Sequence, residues 1–322
     1  MTESVTEQTK ASSLKASRGG AAGDKVFSGL ALAAGIVILL VLAFVAIFLL
    51  VEALPALWPQ VFSEEDSIAS ADNFWEYVWP LMAGTLIASV IAIIIATPVA
   101  VGIALYISHY APKSISTPVG YVIDLLAAIP SVVFGAWGMT ALAGGIVPLY
   151  RWLGEYLGWI PLFGGGVSTT GRTLLTSAVV LAVMILPIIT ALCREIFIQT
   201  PKLHEEAALA LGATRWEMIT MTVFPFARAG IISSIMLGLG RALGETMAVT
   251  LVLSPGIFSW SLITGGRNAT IPAEIALNFP EAFGMRQSEL IAAGLMLFII
   301  TLAVNMLARW IVSRHKEFSG AN

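Results

Sequence analysis

Apolar positions along this chain fall in runs too long for the core of a globular domain. A bilayer core asks for about 20 mostly apolar residues per helix, and six stretches meet that length: Phe27–Val51, Leu81–Ile107, Val119–Leu142, Thr173–Cys193, Ile231–Leu253 and Leu290–Ile311. The expected fold class is therefore an all-α integral membrane protein with six transmembrane helices. Pro130 and Pro187 fall inside the third and fourth stretches and should kink or interrupt them. The segment before the first stretch is rich in Ser, Thr, Ala and Gly, so residues 1–26 read as a disordered tail. Residues 27–317 make the membrane domain, and 318–322 a short C-terminal tail. The first apolar run is too long for a signal-peptide core and is expected to stay in the membrane.

Polar residues between the runs set the orientation, because Lys and Arg collect on the cytoplasmic side. Lys10, Lys15, Arg18, Lys25, Lys113, Arg194, Lys202, Arg215, Arg228, Arg309, Arg314 and Lys316 fall on one side. The other side has Arg151, Arg172, Arg267 and Arg286, with an acidic first loop of Glu64, Glu65, Asp66, Asp72 and Glu76. Both termini are expected in the cytoplasm of a multi-pass protein. Trp58, Trp75, Trp79, Trp152, Trp159 and Trp260 sit near the external ends of the spans, as an interfacial belt requires. The segments Glu52–Trp79, Gly144–Arg172 and Ser254–Glu289 are expected to be external and partly irregular.

Composition narrows the function. The chain is 57% hydrophobic and 11% charged, with a net charge of -3 and a mean hydropathy of +0.88. No basic arm points to nucleic acid. Cys193 is the single cysteine, so no internal disulfide forms, and His109, His204 and His315 lack metal-ligand spacing. No Gly-Lys pair occurs, which excludes a phosphate-binding loop for ATP on this chain. No clustered Ser, His or Asp has catalytic spacing, and no enzyme activity is expected.

The connection between the fourth and fifth runs, residues 200–225, carries the strongest local pattern. Thr200 should cap a helix with Pro201 at its first position. Gly212 can end that helix with a positive φ. Thr214 and Glu217 form a capping box for a second helix, and Pro225 should break the chain before the fifth span. Glu206-Ala207-Ala208, Gly212 and Pro225 resemble the EAA loop of ABC importer permeases, with Thr222 and Phe224 in place of that pattern's isoleucine and leucine. In such permeases the loop docks into separate ATPase subunits. The resemblance implies the type I importer (MetI-like) fold, with ATP and Mg²⁺ held by the partners and no cofactor on this chain.

The fifth run contains Arg241 and Glu245, and a charge at bilayer depth costs about 2.5–3.5 kcal/mol by insertion scales. Spaced four apart they share a helix face, joined by Ser234 and Gly238, with Met236, Leu239, Leu243 and Met247 opposite. Two readings stay open: a buried ion pair that orients the helix, and an arginine that attracts a transported anion while the carboxylate weakens its grip. Gly240 and Gly244 offer a close approach to a partner helix. Asp124 reads as a helix-end group of the third span. Ser131, beside Pro130, offers its hydroxyl either to an oxyanion or to a freed carbonyl. Gly238-Leu-Gly-Arg-Ala-Leu-Gly-Glu-Thr-Met-Ala-Val249 and Ala128-Ile-Pro-Ser-Val-Val-Phe-Gly135 resemble the permeases of the phosphate-specific transport system, the C-type permease more than the A-type. That resemblance implies a bacterial plasma-membrane complex. It would contain a sister permease of the A type, two ATPase subunits and an extracytoplasmic phosphate-binding protein, with Arg241 and Glu245 important for transport. A sulfate or molybdate permease of the same fold and an ion-coupled secondary transporter are the alternatives; the second leaves the EAA loop unexplained.

Overall fold

The computed structural model describes residues 18–58, 73–253, 256, 258–266 and 268–313. The first seventeen residues, the acidic connection from Glu64 to Asp72, Arg267 and the end from Arg314 onward lie outside the described residues. Six described helices are long and apolar enough to cross a membrane. Two compact units divide the chain, residues 1–51 and 52–322.

The first unit contributes most of helix α1 (Arg18–Leu57), which is apolar and exposed from Val26 to Val51. A helix hydrophobic on every side belongs in lipid or against other spans. It starts earlier than the tail expected over residues 1–26 allows. Once a helix has nucleated, each added residue gains a hydrogen bond without a new nucleation cost, which carries α1 back through Gly19, Gly20 and Gly23 despite their low helix propensity.

The second unit is built on α2 (Phe74–Leu105) and α6 (Leu174–Ile198), which share the largest contact in the fold. Ala88, Ala92, Ala96, Ala100 and Ala104 repeat every fourth residue on α2, and all are buried. Small side chains in one stripe let two backbones approach closely, which is how helices associate in lipid. Facing them, α6 supplies Leu181, Ile185, Ile189 and Cys193 to the same core. Pro187 stays inside α6.

The third span differs from the expected Val119–Leu142. Helix α3 (Lys113–Ala127) ends before Pro130, and α4 (Ser131–Trp137) begins after it. Proline has no N–H to donate and disfavours helical backbone just before it. The span therefore runs over Ser131–Leu157, through a π-turn at Gly138–Leu142 into α5 (Ala143–Leu157). The expected external segment Gly144–Arg172 thus begins as membrane helix. Asp124 lies on α3, outside the span, 3.8 Å from Arg194 and half exposed.

The fifth span also shifts. Helices α7 (Lys202–Ala210), α8 (Arg215–Met218) and α9 (Phe224–Leu243) follow α6. Pro225 does not break the chain: a π-turn at Ile219–Val223 precedes it, and a continuous helical run covers Arg215–Leu243. The wider turn relieves the clash and lost hydrogen bond that proline imposes on an α-helix. The run stops at Gly244, short of the expected Leu253.

Beyond a short α10 (Met247–Val252), α11 (Ile271–Asn278) packs back on α2 before the last span, α12 (Met285–Ser313). The Thr85 hydroxyl accepts the Ile271 N–H at 2.9 Å. Gly84 lies so close to the Ala269 carbonyl that no Cβ fits between them. Arg286 clamps the join, donating to Glu274 at 2.7 Å and Glu289 at 2.8 Å, with its guanidinium 5.0 Å from the Tyr77 ring centre. Glu289 is wholly buried. Removing the cation from such a cluster strands carboxylates and costs about 3–5 kcal/mol. Arg286→Gln is expected to lower the thermal midpoint of the purified protein sharply. Asp124→Asn, which breaks an exposed pair worth at most about 1 kcal/mol, should leave it within error.

Candidate functional site

The end of α9 is where chain chemistry and helix geometry meet. Gly244 terminates the helix, its N–H bonding to Gly240 O at 3.3 Å, and glycine weakens a helix interior. Glu245 then turns inward: it is 8% exposed, and its carboxylate accepts the Ala248 N–H at 3.1 Å. An anion at the amino end of α10 satisfies a donor that has no partner within the helix and complements the helix dipole. The far end of α10 is served by Arg172, which donates to the carbonyls of Leu251 at 3.2 Å and Val252 at 3.4 Å. A six-residue helix is thus closed by a carboxylate at one end and a guanidinium at the other.

Arg241 and Glu245 consequently do not form the expected i,i+4 pair, and the ion pairs among the described residues do not include them. The break at Gly244 removes the shared face. Ser234 and Gly238 turn into the core, Gly238 meeting Ile189, whereas Arg241 is exposed. It lines an open groove of about 1240 Å³ with Ser233, Met236, Leu237 and Gly240, so Met236 is on its side and not opposite. The depth follows from the packing. Gly230 lies against Ile196 and Gly238 against Ile189, so Arg241 comes level with about Leu186 at 1.5 Å rise per residue. That is halfway between Leu174 and Ile198.

Two motifs singled out in the sequence touch. Gly135 on α4 packs on the Cα of Ala248, with only 2.7 Å available to a Cβ there. Ser131 opens α4 half-buried, one turn ahead of Gly135, and it bonds no freed carbonyl among the described residues.

At the other end of the same helical run lies the loop over residues 200–225. Gly212 has φ +89° with open space around it, so backbone conformation, not crowding, favours glycine there. Thr214 and Glu217 form the capping box: the Glu217 N–H donates to the Thr214 hydroxyl at 3.3 Å and the Thr214 N–H to the Glu217 carboxylate at 2.8 Å. Ala208 is buried, while Glu206 and Ala207 face outward, free for another surface. Thr200 does not cap α7, since Pro201 occupies the cap position and the Thr200 hydroxyl is buried without a partner. His109, just past the end of α2, lies beside the loop, its Nε2 3.6 Å from the Glu205 carboxylate. Among the described residues no His, Cys, Asp or Glu cluster could hold a metal ion.

Arg172, Arg286 and Glu289 were legible in sequence only as flanking charges. Arg286 and Glu289 stand three apart at the head of a span, the spacing of a helix pair. Arg172 had no local signal, because its partners lie about 80 positions away in the chain.

A model of the family described as the binding-protein-dependent transport system inner membrane component matches residues 97–317. The chain belongs to that family and is a multi-pass permease component of an ABC-type importer. Within it, the chain is 44% identical over 298 residues to the phosphate transport system permease protein PstC 2 of Mycobacterium tuberculosis, covering 89% of this chain and 91% of that one. It is 38% identical over 310 residues to the PstC protein of Mesorhizobium japonicum, covering 92% of each. A bacterial alginate ABC transporter, solved with an alginate pentasaccharide-bound periplasmic protein, matches 91% of this chain and 96% of its own with a TM-score of 0.63 and 18% identity. The inward-facing MetNI methionine transporter matches 74% and 94% with a TM-score of 0.52 and 16% identity. These two likenesses concern the fold, the MetI-like permease architecture.

The cap on α10 makes a direct expectation. Glu245→Ala leaves the Ala248 N–H unsatisfied and should destabilise the purified protein by about 1 kcal/mol. Glu245→Gln keeps an acceptor and should cost less. Arg241→Gln, which breaks no ion pair, should leave the thermal midpoint unchanged.

Proposed function

We propose that the chain is the permease component of an ATP-driven importer of inorganic phosphate, with Arg241 attracting the anion midway across the membrane. The carrying observation is an exposed guanidinium level with the middle of α6, in a chain whose full-length relatives are phosphate permeases. A charge at that depth facing lipid would cost about 2.5–3.5 kcal/mol or more; facing a water-filled path shared with a sister permease, it serves as an anion site. Glu245 contributes by holding the break in the helix that ends beside Arg241, not by pairing with it. Ser131 approaches the same break from α4 and is a secondary candidate for the pathway.

Import of phosphate needs energy. Each negative charge moved inward against 100 mV costs about 2.3 kcal/mol, and each tenfold of concentration about 1.4 kcal/mol more. The loop over residues 200–225 is the coupling element in this reading. Glu206 and Ala207 face the partner, Ala208 and Gly212 shape the loop, and Pro225 lies where its helix enters the span. The loop and both termini face the cytoplasm. Two ATPase subunits there hold ATP and Mg²⁺, a sister permease closes the pathway, and an extracytoplasmic binding protein delivers phosphate.

Arg241→Gln keeps hydrogen-bonding capacity but lacks the charge that offsets desolvation of phosphate. Labelled phosphate uptake by an assembled Arg241→Gln complex is expected to fall to background, with sulfate and molybdate failing to compete in the wild type. Uptake near the wild-type level would remove Arg241 from the pathway. Gly212→Val forces a β-branched residue into a left-handed backbone. It should preserve insertion while reducing both uptake and recovery of the ATPase subunits on copurification.

A further inference from the structure

The groove that holds Arg241 has a second wall, on α12. Leu302, Asn305, Met306 and Arg309 line it, a stripe at the three-and-four spacing of one helix face. On α9, Ser233, Met236, Leu237, Gly240 and Arg241 make the matching stripe. Asn305, Arg309 and Arg241 are exposed, and neither arginine has an acidic partner among the described residues. No described Asp or Glu lines the groove. Arg241, at mid-span on a mostly apolar surface with no carboxylate there to neutralise it, is costly against lipid, and Arg309 adds a second guanidinium to the same groove. They suit a surface that meets water and an anion.

The direction of the helices orders the two charges. α9 leads away from the loop at residues 200–225, and α12 returns towards that side. Arg309 follows Leu302 by seven residues, about 10 Å along a helix, so it belongs to the loop end of the groove. Arg241 belongs to the opposite end. A single deep cation site would retain a phosphate that it bound well; conduction needs several weaker sites in succession.

We propose that Asn305 and Arg309 form a second oxyanion station, through which phosphate passes after Arg241 and before release on the loop side. The inference rests on the phosphate-importer reading and deepens it. Arg309 then acts on the transported anion, whereas its position near the end of α12 alone would make it only an interfacial anchor.

The complete importer, reconstituted in liposomes, separates the two roles. Per assembled complex, Arg309→Gln should lower the maximal phosphate uptake rate about tenfold, the effect of roughly 1.4 kcal/mol. The half-saturating concentration of phosphate-loaded binding protein should not change, and Arg309→Lys should recover most of the rate. A wild-type rate in Arg309→Gln overturns the proposal, and so does an equal loss in the lysine variant. A second measurement does not depend on that variant assembling. In a Cys193→Ala background, Asn305→Cys should react with a water-soluble methanethiosulfonate reagent. Leu307→Cys, exposed on α12 but outside the groove, should not. An unreactive Asn305→Cys, or equal reaction at both positions, overturns the proposal. Failure of the phosphate reading looks different: the wild-type complex then carries no phosphate, and the same variants are read with the oxyanion it does carry.

Discussion

Lipid offers no hydrogen bonds, so every interruption of a membrane helix must be satisfied from within the chain. The organisation of this protein follows from that constraint. Several of the described breaks have a partner of their own, local or from elsewhere in the fold. Glu245 and Arg172 close the two ends of α10. The Thr85 hydroxyl receives the first amide of α11. The π-turn at Ile219–Val223 absorbs Pro225 so that no break is needed there. These partners come from α2, from the segment ahead of α6 and from the broken helix itself, so the irregular segments are fixed to the most tightly packed part of the molecule.

One mechanical consequence concerns the loop and Arg241. They lie at opposite ends of a single continuous helical run, Arg215–Leu243. The half of that run nearer Arg241 packs on α6, through Gly230 on Ile196 and Gly238 on Ile189. The loop lies beside the end of α2, where His109 and Glu205 come within 3.6 Å. Thr214–Glu217 and Arg241 are thus joined along one helical run, with the π-turn at Ile219–Val223 between them. The break comes after Arg241, at Gly244, where α9 stops shortly before α10 begins.

Much of the site was legible because its signals are local. Gly212 sits between two helix-forming stretches, and only a positive φ lets the chain turn there without a cap. The Thr214–Glu217 box needs only residues three apart. Arg241 stands out because charge is rare in an apolar run. The error at Glu245 has an equally local origin. Spacing of four implies a shared face only if the helix continues, and a hydropathy window of about 20 residues does not register a break of a few residues. Pro130 and Pro225 show the same ambiguity: one ends a helix and the other is carried through a π-turn. Proline removes a hydrogen bond in both places, but the surrounding packing decides how the chain responds.

The sequence alone therefore determined the number of spans, the loop with its positive-φ Gly212 and its Thr214–Glu217 capping box, and the presence of a charge inside the fifth apolar run. These depend on composition and on residues within a turn or two of each other, where hydropathy and capping chemistry act directly. Tertiary structure alone decided where the third and fifth spans begin and end, that Glu245 serves an amide and not an arginine, and that Arg172 closes α10 from about 80 residues away. It also decided that Arg286 joins Glu274 and Glu289, and that Arg309 shares a groove with Arg241. Most of these depend on packing between segments distant in sequence, and hydropathy along the chain does not record which faces meet.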